Sequence, residues 1–149
     1  MYLADTDILS AISPTAKVSV TDLANWMDAA SPQLFLSVVT VAEVRNGIEK
    51  NERQGAIRKA AALREWWATV EHLYAKRILP FDLGAAHIAG VLSDRARGAG
   101  FDPGFADVVI AATAEAHGLT VLTRNTRDFE PLGVSFLNPY EGLPPLQSG

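Results

Sequence analysis

Apolar residues are distributed along this chain in two rhythms. Short apolar runs at Met1–Ala4, Gln33–Val39, Arg77–Asp82, Leu119–Asn125 and Gly133–Pro139 read as strands. Longer stretches between them carry helical patterns. Asp7–Ile12 begins one, with Asp5 or Asp7 near its N-terminus, and Ser13-Pro14 ends it. A second is capped by Thr21 or Asp22, sets Leu23, Trp26 and Met27 on one face and stops at Ser31-Pro32. Thr40 and Glu43 form a capping-box pattern opening a helical region that runs to about Arg77, interrupted near Gly47 or Gly55. Asp82–Gly100 and the strongly apolar Phe105–Gly118 complete the set, Gly118 serving as a C-cap.

The predicted order is β-α-α-β-α-α-β-α-α-β-β. Short apolar strands alternating with helices favour an α/β fold, a parallel sheet covered on both faces. Ligands of such sheets bind outside the C-terminal ends of the strands. Asp5 and the Thr123-Arg124-Asn125 triplet both fall at ends of that kind. No repeat or linker divides the chain, so one domain over 1–142 is expected, with 143–149 as a tail.

Composition narrows the classes. An apolar fraction of 48% and a charged fraction of 20% suit a folded globular chain of 149 residues. No apolar run is long enough to span a bilayer, and the N-terminus lacks a basic segment followed by an apolar one, so a cytoplasmic location is expected. The absence of cysteine excludes disulfides and thiolate metal sites. A net charge of −4 argues against a general nucleic-acid coat, so a nucleic-acid enzyme would need locally placed Lys and Arg. His72, His87 and His117 lack metal-ligand spacing and read as structural or surface residues. No glycine-rich phosphate loop occurs, so no nucleotide cofactor is expected.

Four positions set an oxygen ligand beside an apolar element: Asp5, Glu43, Asp107 and Asn125. Each has a plainer reading, as a helix cap, the acid of a capping box, a first-turn charge and a turn residue respectively. Their combination is the signal. Carboxylates gathered at one sheet edge repel unless a hard cation such as Mg²⁺ or Mn²⁺ joins them, and such a site can activate water against a phosphoryl group.

The stretches LADTDILS, LSVVTVAEVRNGI, RILPFD, DVVIAATAEAHGLTVLTRNTRDF and FLNPYEG occur in that order. Together they resemble the PIN-domain ribonucleases, specifically the VapC/FitB-type toxins of bacterial toxin–antitoxin pairs, over residues 1 to 142. The resemblance implies a three-layer α/β/α sandwich with a central, mostly parallel, twisted sheet. It implies Mg²⁺- or Mn²⁺-dependent hydrolysis of RNA, with the metal-binding and catalytic acids falling on Asp5, Glu43 and Asp107. The family's fourth position falls on Asn125, a departure from the fully acidic pattern that would weaken a second ion. Asp7 would then be a cap or an outer partner of the site, and Thr6 and Thr123 hydroxyl partners of the ion's waters or the phosphate. The implied partners are RNA, a second copy of the chain and a small antitoxin.

Arg45, Arg124 and Arg127 are the cations nearest these motifs, with surface charge as their plainer reading. Trp66 and Trp67 point about 100° apart on a helix, so one is expected in the core and the other is available for an interface. Two rival readings stand. A haloacid-dehalogenase-like phosphatase would use Asp5 as nucleophile and Asp7 as general acid, but it needs a lysine ahead of a later acidic pair, and no lysine follows Lys76. A catalytically inactive module binding RNA or a partner is favoured by Asn125 and opposed by the three acids.

Overall fold

A computed structural model describes residues 1–146 of the chain. Five strands, β1 (Tyr2–Ala4), β2 (Leu34–Ser37), β3 (Ile78–Leu79), β4 (Thr120–Leu122) and β5 (Phe136–Leu137), pair in parallel in the order β3-β2-β1-β4-β5. The helices are α1 (Thr6–Ala11), α2 (Thr21–Ala30), α3 (Val38–Arg53), α4 (Ile57–Tyr74), α5 (Leu83–Gly98), α6 (Phe105–His117) and α7 (Thr126–Phe129).

Alternation along the strands sorts the helices into two layers. Tyr2, Ala4, Leu34, Leu36 and Leu122 pack with buried residues of α1 to α4, among them Leu9, Trp26, Ile48 and Trp67. Leu3 and Val121 point the other way, into a core shared with Leu92, Ile110, Phe129 and Leu132. The result is the expected α/β/α sandwich. α6 is buried along Val108–Ala114, and its alanines let it lie against the small Ala89 and Ala96 of α5.

Chain order sets the important edge. Connections from β1 move outward through β2 to β3, then cross the sheet to β4 and β5. The strand order therefore reverses between β1 and β4, the place where doubly wound sheets open a ligand crevice. β1 leaves the sheet into Asp5 and β4 into Thr123 at that point. The Asp5 N–H still donates to Leu122 O at 2.9 Å, so both ends are fixed to one another.

Several local readings change. α3 starts at Val38 and is capped by Ser37, whose hydroxyl accepts from Val39 N–H at 3.1 Å, so Thr40 and Glu43 are not a capping box. Strand β2 runs into α3 without a loop, which hides the true cap inside an apolar run. Val20 occupies the cap position of α2 without a side-chain bond, so neither Thr21 nor Asp22 caps it. Gly47 lies within α3, and the break comes at Gly55, whose φ of 87° the glycine permits. The short α7 had no counterpart in the sequence reading. Trp67 is buried and Trp66 half-buried, as their angular separation requires. Of the 143–149 tail, 147–149 lie outside the described residues, and the Trp26 indole N–H donates to Pro144 O at 2.7 Å.

Candidate metal centre

Asp5 is the centre of a hydrogen-bonded set. It caps α1 by accepting the Thr6 N–H on Oδ1 at 2.8 Å, while Oδ2 accepts the Thr123 hydroxyl at 2.8 Å. Thr123 Oγ1 in turn accepts the Asn125 N–H at 3.0 Å. The Thr6 hydroxyl donates to Glu43 Oε1 at 2.7 Å and lies 3.0 Å from the buried Thr40 hydroxyl. Thr6 and Thr123 therefore orient the acids themselves. Glu43, one and a half turns into α3, is drawn to the edge of β1 by this bond rather than spent on its own helix.

Asp7 stands in the first turn of α1, and its Oδ2 accepts the Arg124 N–H at 3.1 Å. Its Oδ1 is buried and meets no hydrogen-bond donor. Burial raises the Asp7 carboxyl above the usual range, and the neighbouring Asp5 carboxyl and the Arg124 N–H pull it back. Asp5 is only 4% exposed. Burial first, then the Asp7 charge, push its carboxyl up to about 8. Asp107, half-buried in the first turn of α6, is pushed to about 6, by burial first and then by Asp128, Glu43 and Asp7. Five carboxyls thus share one field.

Asp128 is the residue that sequence reasoning missed. It lies in α7 three positions beyond Asn125 and is the charge that acts most strongly on Asp107. Asn125 itself is exposed at the start of α7 and makes no side-chain cap bond there. The other singled-out cations separate. Arg45 pairs with Glu49 on α3 at 3.1 Å, Arg127 is exposed on α7, and Arg124 lies at the lip of the acids. The three histidines are exposed.

The donor set can be tested for a metal on its own chemistry. No three of the described His, Cys, Asp or Glu side chains are gathered tightly enough to enclose an ion as the chain stands. The donors nevertheless suit a hard divalent cation. All are oxygens, Asp7 Oδ1 is buried without a donor, and burial holds Asp5 and Asp107 towards protonation that a cation would replace.

This has a consequence for stability. Asp5 binds its proton up to about pH 8 when folded but releases it near 3.8 when unfolded, so between those values the folded state holds more protons. Stability is then full below the lower value and falls as pH rises through the window. In EDTA the melting temperature should decline from pH 5 to 8. Saturating Mn²⁺ or Asp5→Asn should flatten that decline, and an identical decline in Asp5→Asn would refute the assignment.

Acids grouped around the buried Asp5 at the switch point of a doubly wound parallel sheet define an acidic site of oxygen donors. The PIN domain model matches residues 2–133, and the chain belongs to the PIN-domain family. It is 37% identical over 145 residues to the VapC ribonuclease Y4jK of Sinorhizobium fredii, covering 95% of this chain and 99% of that relative. It is 33% identical over 148 residues to the toxin FitB of Neisseria gonorrhoeae, covering 94% and 99%. The crystal structure of FitAcB from Neisseria gonorrhoeae superposes with a TM-score of 0.79 at 34% identity, over 94% of this chain and 99% of that one. Membership of this family displaces the phosphatase reading. Among the described residues no helix is long and apolar enough to cross a membrane.

Proposed function

We propose that this chain is a Mg²⁺- or Mn²⁺-dependent ribonuclease, the toxin of a type II toxin–antitoxin pair. It hydrolyses RNA phosphodiesters in the cytoplasm, works as a homodimer and is silenced by a small antitoxin. What supports the reading is that Thr6, beside Asp5 at the end of β1, bonds Glu43, and that the charges of Glu43 and Asp7 reach Asp107, in a PIN-domain chain. The relatives named VapC ribonuclease and toxin FitB support it, as do solved neighbours that are complexes such as FitAB bound to a DNA fragment.

Asp5, Glu43 and Asp107 would hold the ion, with Asp7 and Asp128 adding negative charge around them. A bound divalent ion supplies acidity to water and neutralises charge on the phosphoryl group. The chain does the rest. Thr6 and Thr123 fix the angles of Glu43 and Asp5, so the acids need little reorganisation. One carboxylate accepts the proton of the attacking water as its oxygen bonds to phosphorus. The P–O bond to the leaving nucleotide breaks, and the departing oxygen takes up a proton.

The second reading, a catalytically silent module, draws on the neutral Asn125 and on the open spacing of the acids. Purified chain should cut single-stranded RNA with Mg²⁺ or Mn²⁺ and stop in EDTA, and Asp5→Asn should be inactive. Cleavage that survives EDTA or Asp5→Asn would overturn the site. Tight RNA binding without cleavage under any metal would establish the silent module.

A further inference from the structure

Arg124 and Tyr140 meet at the lip of the acids. The Arg124 main chain is pinned to Asp7 Oδ2, while its side chain is exposed and its guanidinium carbon lies 4.7 Å from the Tyr140 ring centroid. Among the described residues its guanidinium joins no ion pair. The register of β4 and β5 creates the meeting. Leu122 pairs with Leu137, and Thr123 N–H donates to Leu137 O, so Asn138–Tyr140 leave the sheet beside Thr123–Asn125. The turn is then closed by the Tyr140 N–H on Asn138 Oδ1 at 3.0 Å. Tyr140 is held firmly yet remains 41% exposed.

We propose that Arg124 and Tyr140 form a nucleotide clamp for single-stranded RNA, a claim that rests on the ribonuclease reading above. Arg124 holds a phosphate flanking the scissile one. Tyr140 stacks the attached base in a cavity of ≈550 Å³ whose walls include Ser19, Thr21, Asp22, Tyr140, Glu141 and Leu143.

The chemistry assigns each part. RNA approaching five carboxyls on a chain of net charge −4 needs a cation at the site itself. Arg45 pairs with Glu49, whereas Arg124 joins no ion pair among the described residues and its main chain is bonded to Asp7. A guanidinium both forks onto phosphate oxygens and stacks on an aromatic face, so Arg124 can keep its place over Tyr140 while binding. Asp22 and Glu141 on the cavity rim repel phosphate but accept N–H groups from a base edge. The base therefore enters the cavity and the phosphate stays with Arg124. Stacking needs an unpaired base, which selects single strands over duplex.

The test measures binding of a short single-stranded RNA to the Asp107→Asn chain, and cleavage kinetics in the otherwise native chain. Tyr140→Ala should weaken binding roughly 5- to 100-fold, the effect of one lost base stack, and raise KM more than it lowers kcat. Tyr140→Trp should restore both. Arg124→Gln should weaken binding and lower the slope of log affinity against log salt by about one phosphate contact. A pair that merely fastens the C-terminal segment would change Trp26 fluorescence and melting temperature in Tyr140→Ala, with the salt slope of Arg124→Gln unmoved, and that result overturns the clamp. Equal losses on duplex RNA overturn it too, as does weakened binding of a partner protein with RNA affinity intact. Wild type that cuts no RNA overturns the ribonuclease reading, while the binding arm decides the clamp independently.

Discussion

Asp107→Asn should lower kcat/KM for metal-dependent RNA cleavage by at least about 100-fold, since even outer partners of metal ligands typically cost 10- to 100-fold. The substitution keeps the size of the side chain and removes only its charge. Asp107 enters the site from the first turn of α6, after Gly104 turns the chain into the helix. It is already pushed to about 6 by burial and by Asp128, Glu43 and Asp7. Removing its charge relieves that repulsion, so the metal-free variant should melt no lower than wild type at pH 7.5, and higher if the repulsion dominates. Loss of function with retained or improved stability is the signature of a residue kept for chemistry. Cleavage assays in saturating Mn²⁺, beside melting curves in EDTA, check both halves. Activity within a few-fold of wild type would remove Asp107 from the site, and a collapsed melting temperature would make its role structural.

What the sequence made legible follows from how strongly each feature is written. β1, β4 and α6 are apolar runs with clear boundaries, and they are the elements that carry Asp5, Thr123 and Asp107. The parallel, doubly covered sheet follows from their alternation with helices. Glu43 stands out as an acid inside an apolar stretch, but its local context reads equally as a box with Thr40. The structure sets the cap three residues earlier at Ser37, because β2 and α3 share the run Leu36-Ser37-Val38-Val39 and no polar loop marks the boundary. Asp128 was invisible for a different reason. A helix of four residues is too short for periodicity, so Thr126–Phe129 carry no readable pattern, and its acid gains meaning only from its effect on Asp107. The pairing of Arg124 with Tyr140 depends on the β4/β5 register, which no local pattern records.

The hydrophobic anchor of that same short helix should matter as much to stability as Asp107 does to chemistry. Phe129→Ala is expected to destabilise the chain by about 3–5 kcal/mol, the usual cost of emptying a buried phenylalanine site. Phe129 is fully buried, in the cluster that holds Leu92, Ile110, Val121 and Leu132. Four residues cannot hold a helix by their own hydrogen bonds, so α7 depends on this side chain for its position. Arg95 donates to Leu132 O at 2.9 Å just beyond it, and this bond fixes the following turn but not the ring's cavity. Urea unfolding should show a lower midpoint with an unchanged slope, and Phe129→Leu should recover most of the loss. A change under about 1 kcal/mol would mean that neighbouring side chains collapse into the space and α7 is not anchored through its ring. Because domains of this kind retain only about 5–15 kcal/mol in total, the variant remains mostly folded except at the lower end of that range. Any folded fraction then separates two effects. If its RNA cleavage falls further than its folded population, the ring is positioning Asp128 and the Arg124 main chain, and core packing reaches the acids through α7.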